Sequence, residues 1–340
     1  MKSLKISVVG VAGTLALVVL RGAFSAPAGT DGPARSFVFT YLTKIPALPP
    51  DDKVSRMWIP LPQSDRYQTI RNLKIDAAFA YAERRDPEYG NEYLYVQVPS
   101  SALKEPSEVR VSFEATRREH RVSLSGRSVV SQSRPMAPDL QRFLQPDRLI
   151  PLQGTIEELS AQQTRGLADP LAKARAIYDY VVVTLRYDKS GTGWGNGDAI
   201  WACTAKRGNC TDFHSLLIGM MRAAGIPARF EIGFPLPEDQ HAGAVPGYHC
   251  WAEFYVEPYG WIPVDASEAW KHQDKKDYFF GAHDDNRVQF TVGRDIRLDP
   301  PQQGAPLNYF IYPYAELDGK PLTLASQFTF HDRTNANDSD

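Results

Sequence analysis

The chain has 340 residues, 43% of them hydrophobic and 23% charged, more than one hydrophobic core usually covers, so about two domains are expected. Glycine (24) and proline (26) are near average usage, which excludes collagen and low-complexity disorder. A formal charge of -2, with 38 basic residues spread along the chain, excludes a nucleic-acid footprint or a polybasic membrane patch. Three cysteines exclude a disulfide-stapled scaffold and a four-cysteine zinc site, leaving at most one bridge and one thiol over.

The chain opens with Lys2 and Lys5, an apolar run over residues 6–20, and small residues around Ala26-Pro27-Ala28. This is the three-part layout of a secretory signal, and the run is short for a spanning helix. The expectation is a signal peptide at 1–28 and an exported protein, periplasmic or secreted, with no other membrane contact. The rival reading is an uncleaved N-terminal anchor, because Arg21 and Pro27 fit a cleavage site imperfectly.

Residues 29–135 carry short alternating apolar runs: Phe37, Phe39 and Tyr41, then 57–61, then 93–98, then Val109, Val111 and Phe113. Period-two runs separated by Pro, Asp and Gly are strands, and this half reads as an N-terminal antiparallel β-sandwich domain without a catalytic constellation. Pro138, Pro146 and Pro151 make residues 136–152 a linker.

The period changes in the second half, 153–330. A short helix opens at Thr155. Asp169-Pro170 reads as an N-cap with proline at the first helical position, and Ala172, Ala176, Ile177, Tyr180 and Val181 extend that helix to about 185. The glycines at 191, 193, 195 and 197 lack the Gly-Lys-Ser/Thr ending of a phosphate loop and read as a cleft wall. From Cys210, apolar residues recur every three to four positions until Gly225, giving a buried helix with its stop signal. Residues 229–234, 248–256 and 261–265 read as strands, the last two joined by Pro258-Tyr259-Gly260. Further strands beyond Asp265, with Asp318-Gly319 as a hairpin turn, are expected to close the same sheet. Residues 331–340 form a polar tail expected to be disordered.

A thiol at a helix N-terminus is distinctive, because the unpaired backbone N–H groups and the positive dipole end favour thiolate, the nucleophilic form. A nucleophilic cysteine also needs a base and a group to orient that base. His249 in one strand and Asp265 at the end of its neighbour can supply both. By spacing alone the three are equally compatible with packed core residues.

Local context decides. Gly208-Asn209-Cys210-x-Asp212, then Gly247-Tyr248-His249-Cys250-Trp251-Ala252-Glu253-Phe254, then Gly260-Trp261-Ile262-Pro263-Val264-Asp265 resemble, in this order, the three catalytic motifs of the transglutaminase-like superfamily of papain-type cysteine enzymes. The resemblance covers about residues 150–270. It implies an α+β fold, with a catalytic cysteine at a helix N-terminus packed on an antiparallel sheet. Cys210 is then the nucleophile, His249 the general base and acid, and Asp265 the orienting carboxylate. The implied chemistry is acyl transfer at amide bonds of a protein or peptide through a thioester, with hydrolysis expected over cross-linking. The alternative is a catalytically inactive peptide-binding or assembly module on the same fold.

The oxyanion is expected at the Cys210 backbone N–H plus one side-chain donor, for which Trp201 and Trp194 are candidates. Asn209, Asp212 and His214 are further candidates for the cleft, and Tyr248 is expected on the opposite face of its strand. For Cys203 and Cys250, both near the implied site, two outcomes stay open: a disulfide bracing the site in an exported protein, or two buried thiols. His241, His272 and His283 have no tight ligand spacing, and no acidic loop suits calcium, so no metal and no cofactor are expected. Oligomeric state is not legible.

Overall fold

The structure is a computed structural model that describes residues 32–48, 53–124 and 137–333. The expected signal at 1–28 and residues 334–340 of the expected tail lie outside the described residues.

Alternation does what the sequence pattern predicts. In β1 (Ala34–Ile45), Phe37, Phe39, Tyr41, Thr43 and Ile45 are buried while the residues between them are not, and in β6 (Ser107–Arg118) Val109, Val111, Phe113 and Ala115 repeat the pattern. Between them lie β2 (Val54–Pro60), β3 (Gln68–Ala77), β4 (Ala82–Arg85) and β5 (Glu92–Pro99), and a two-residue strand β7 (His120–Arg121) follows.

The expected linker is partly structured. A single helical turn, α1 (Pro138–Gln141), leads to Asp147, which pairs with Arg142 at 2.6 Å and with the buried Arg222 at 2.6 Å. Then come α2 (Thr155–Gln163), α3 (Pro170–Thr184), β8 (Arg186–Tyr187), α4 (Ala199–Ala205), β9 (Arg207–Gly208) and α5 (Cys210–Ala223). The Asp169 carboxylate caps α3 as expected, accepting from the Leu171 and Ala172 amides. Nearly every residue of α5 is buried, because α2, α3 and α4 cover it on one side and strands on the other.

Those strands are β10 (Ala228–Pro235), β12 (His249–Val256) and β13 (Gly260–Val264), with β11 (Ala242–Ala244) between the first two in the chain. After them come α6 (Ala266–Lys271), β14 (Ala282–His283), β15 (Arg287–Val292), β16 (Tyr314–Leu317), β17 (Lys320–Pro321) and β18 (Ala325–Asp332). The catalytic sheet has the order β13-β12-β10-β15, all antiparallel.

Of the strands beyond Asp265 that the sequence led us to expect in that sheet, β15 joins its edge on β10, but β16, β17 and β18 do not. β18 pairs with β1 and β16 pairs with β2, giving two five-stranded sheets, β11-β18-β1-β6-β3 and β17-β16-β2-β5-β4. The sandwich is therefore built from both ends of the chain with the catalytic unit inserted between them. The reason is edge satisfaction: β1 and β2 each present unpaired backbone groups that a later strand can cover. His331 and Asp332, expected in the tail, belong to β18.

Sandwich and catalytic sheet share one core. The Phe39 ring of β1 lies 5.5 Å from Phe113, 5.4 Å from Phe234 of β10, 6.0 Å from Phe290 of β15 and 6.3 Å from Phe328 of β18. Replacing Phe39 by Ala should cost about 3–5 kcal/mol, and because its neighbours belong to both units, unfolding should remain one transition. Urea denaturation followed by tryptophan fluorescence and by far-UV circular dichroism checks this; two separated transitions would contradict a shared core.

Candidate active site

The N-terminus of α5 is built by its own first residues. Asn209 caps it, its Oδ1 accepting from the Thr211 amide at 2.9 Å, and the Asp212 Oδ2 accepts in return from the Asn209 amide at 2.9 Å. Asp212 is fully buried and does more than cap: its Oδ2 also accepts from Gly195 N–H at 2.7 Å and its Oδ1 from Gly197 N–H at 3.0 Å. Burial raises its pKa, with those amides opposing the shift. Of the two readings open for Asp212, the structure thus supports the structural one: it holds the glycine-rich loop 191–197.

Arg294 grips that loop from the other side, donating to the carbonyls of Gly197 at 3.1 Å and Asn196 at 3.2 Å and to Ser215 Oγ at 2.7 Å. Two glycines are required here. A Cβ on Gly208, at φ +154°, would lie 2.3 Å from Asp212 Oδ2, and one on Gly197, at φ +61°, would lie 2.6 Å from Ser215 and Thr211. Arg294 is 84 residues from Cys210 in sequence and carried no motif that could have singled it out.

Cys210, 2% exposed, begins the helix where the dipole and free amides favour anionic sulfur. Burial opposes the thiolate, but hydrogen bonds from Cys250 and His249 outweigh it and hold the Cys210 pKa well below the ordinary thiol value. Cys250 offers both its S–H and its backbone N–H to the Cys210 sulfur, and its own pKa rises well above normal through burial and this contact. The structure thus places Cys250 beside Cys210 and against Thr211 Oγ1 at 3.7 Å, while Cys203 is a half-buried residue of α4. All three cysteines are free: of the two outcomes open for Cys203 and Cys250, the structure shows unbridged thiols, and Cys250 contacts Cys210 instead.

His249 Nε2 and Asp265 Oδ2 are 2.7 Å apart, because β12 and β13 are antiparallel neighbours and Asp265 follows β13 directly. Burial disfavours the imidazolium, but Asp265 and the Cys210 thiolate outweigh it and push the His249 pKa up to about 10. Asp265 is held well below the usual carboxylate range, with His249 and Arg287 overcoming burial. Arg287, fully enclosed, reaches Asp265 Oδ2 at 3.4 Å and Asp284 at 2.7 Å. Sequence reasoning missed it, since the sheet order alone brings β15 to this place.

His214 does not line a cleft. It is fully buried, its Nδ1–H donates to the Cys210 carbonyl at 2.8 Å, and its Nε2 accepts from Ala266 N–H at 3.2 Å. It ties the helix carrying the thiol to the segment carrying the carboxylate, and burial keeps it neutral by lowering its pKa. Tyr248, expected on the far side, instead turns its hydroxyl toward α5, where it meets Thr211 Oγ1 at 3.0 Å and accepts from Asn209 Nδ2 at 3.2 Å.

The Trp194 indole N–H donates to the Gly191 carbonyl at 3.2 Å, and the Trp201 indole packs beneath Gly193. The described contacts of neither reach Cys210. The group that does is Tyr187, whose hydroxyl accepts from the Cys210 backbone N–H. His241 is exposed and pairs with Asp332 at 2.9 Å, and His272 lies near Glu268 at 3.6 Å.

A thiol opening a buried helix, facing a histidine and a carboxylate on adjacent antiparallel strands, defines the papain-type class of α+β folds. Residues 157–266 match the family described as the transglutaminase-like superfamily, the segment that carries Cys210, His249 and Asp265. A solved structure described as a candidate cysteine protease from Cytophaga hutchinsonii has the same fold, with a TM-score of 0.64 at 15% identity over 89% of this chain and 92% of that one. An uncharacterized protein of Haemophilus influenzae is 29% identical over 328 residues, 86% of this chain and 88% of its own.

Two outcomes check the geometry. Replacing Asp212 by Ala frees three amides, two of them buried, and should cost at least about 2 kcal/mol, with hydrogen exchange accelerated at Gly195 and Gly197; unchanged exchange there would contradict the loop-holding role. Because the folded His249 pKa is raised, its charged form stabilises the fold fully below about pH 6.5 and ceases to do so as pH rises through about 10. An NMR titration of the His249 ring should give a midpoint near 10 and move down by about one unit or more in Asp265→Asn; an unmoved midpoint would contradict the pairing.

Proposed function

We propose that this protein is a cysteine hydrolase acting on amide bonds of a protein or peptide, with Cys210 as nucleophile, His249 as acid and base, and Asp265 as the orienting group. The observation that carries this reading is geometric: Cys210 opens α5 in hydrogen-bond contact with His249, which pairs with Asp265 at 2.7 Å, an arrangement that lowers the thiol pKa and raises the imidazole pKa. The thiolate attacks the amide carbonyl, forming a C–S bond. The oxygen takes the charge and meets the Cys210 N–H in place of the Tyr187 hydroxyl. His249 gives its proton to the departing amine as the C–N bond breaks, leaving a thioester. Water, deprotonated by His249, then attacks the thioester carbonyl, the C–S bond breaks, and thiolate and imidazolium are restored with release of the acid.

Hydrolysis is favoured over cross-linking because water is always present as an acyl acceptor and needs no site of its own, whereas an acyl-accepting amine must be seated. Export to the periplasm or medium is part of the proposal, supported by the basic and apolar layout of residues 1–28. Among the described residues no helix is long and apolar enough to cross a membrane.

Iodoacetamide near pH 6 should alkylate Cys210 selectively, and His249→Ala should slow this by about a hundredfold or more. Slow labelling alike in both would support an inactive binding module instead. With a library of peptide and side-chain amides, the wild type should release amine and Cys210→Ser should not; incorporation of a labelled amine in place of hydrolysis would overturn the choice of water as acceptor.

A further inference from the structure

A second cluster of chemistry-bearing side chains lies on the same strand as His249. Along β12 the residues His249, Trp251 and Glu253 share one face, and beyond the Trp251 ring Glu253 meets two histidines from distant parts of the chain. His120 belongs to β7 and His283 to β14, two short strands that pair in the register His120↔His283. One ligand-capable atom from each of His120, Glu253 and His283 lies within 4.8 Å of the other two, and all three side chains are buried.

His283 is fully enclosed, yet neither of its ring nitrogens has a hydrogen-bond partner. A buried imidazole in that condition loses its hydration without replacement, and such groups call for an explanation. Its surroundings make no other use of it: it presents an edge to His120 at 6.2 Å and to Trp251 at 5.8 Å. His120 is fixed by stacking on Tyr67, with ring centroids 3.7 Å apart, and its Nδ1 lies 3.0 Å from Glu253 Oε1. The other Glu253 oxygen is held by Arg229 at 2.5 Å, which orients the carboxylate and leaves Oε1 directed at the histidines.

We propose that His120, Glu253 and His283 form a binding site for a divalent ion of the zinc class. Two imidazoles and one carboxylate are a recurrent donor set for Zn²⁺, and bonds of about 2.0–2.2 Å would draw the widest pair together by roughly an ångström. Burial, reinforced by Arg287, keeps His283 neutral, and Glu253 is ionised because Arg229 and His120 overcome its burial; these are the forms that bind metal. The fourth position opens on a cavity of about 480 Å³ to which His120, Glu253, Glu231 and Arg117 contribute, where a water completes the coordination. The ion would join β7, which follows the sandwich strand β6, to the strand that carries His249. None of this was legible in sequence, where His120 stood alone in the N-terminal half and His283 had no partner at ligand spacing.

The test uses the full chain, stripped with a chelator and alkylated at Cys210 so that its thiolate cannot take the ion. Titration with Co²⁺ should show one equivalent bound, with visible d–d absorption and no thiolate charge-transfer band, and Zn²⁺ should displace it and raise the melting temperature. His283→Phe should weaken binding by more than about a hundredfold, beyond the usual effect of losing an outer partner. It should leave the metal-free melting temperature unchanged or higher, since no hydrogen bond is lost. If that variant does not fold, His120→Gln carries the test with the same expected loss. Absence of stoichiometric binding to the parent protein, or undiminished binding in the variants, overturns the proposal. Neither result bears on Cys210 reactivity, so this proposal and the hydrolase reading fail separately.

Discussion

The structure depends on the burial of the N-terminus of α5. A helix end leaves amides unpaired, and burying it is tolerated only when something accepts from them. Here Asn209 and Asp212 take part of that duty and the sulfur of Cys210 sits in the field that results. The energetic requirement of the fold and the chemical requirement of the site are thus met by the same three or four residues. His214 extends the arrangement by linking the Cys210 carbonyl to the Ala266 amide, so the distance between thiol and carboxylate is set by a neutral bracket inside the core rather than by the loops.

Around this centre the protein places charges in compensated sets. Asp265 has His249 and Arg287, Asp147 has Arg142 and Arg222, and Glu253 has Arg229 and His120. Removing one member from such a set leaves another charge enclosed without a partner, which costs more than the pair itself contributes. Among the described residues His283 differs from these sets in that both nitrogens of its enclosed ring lack a hydrogen-bond partner.

Much of the catalytic half was legible because its signals are local. Asp169-Pro170 fixed the start of α3, the spacing of Phe213, Leu216, Leu217, Met220 and Met221 fixed α5, and the turn at Pro258-Tyr259-Gly260 made His249 and Asp265 neighbours in register. What stayed hidden was non-local. Nothing near Tyr314 or Ala325 reveals that these strands return to β2 and β1, since any apolar alternation fits any open edge of suitable length. Arg287 and Arg294 reach the site through sheet order alone. The state of Cys203 and Cys250 was open for a related reason: closeness to the site along the chain does not say whether two thiols meet, and in the structure Cys250 meets the Cys210 sulfur while Cys203 stays in α4.

The pairing of β18 with β1 has a consequence for how the molecule comes into being. A sheet that starts at residue 34 is completed only by residue 332, so the first strands wait with an open edge while almost three hundred residues are added. Contacts of such sequence separation are slow to form. A chain threaded through a membrane from its N-terminus would stay incomplete, and therefore threadable, until its last strand had crossed.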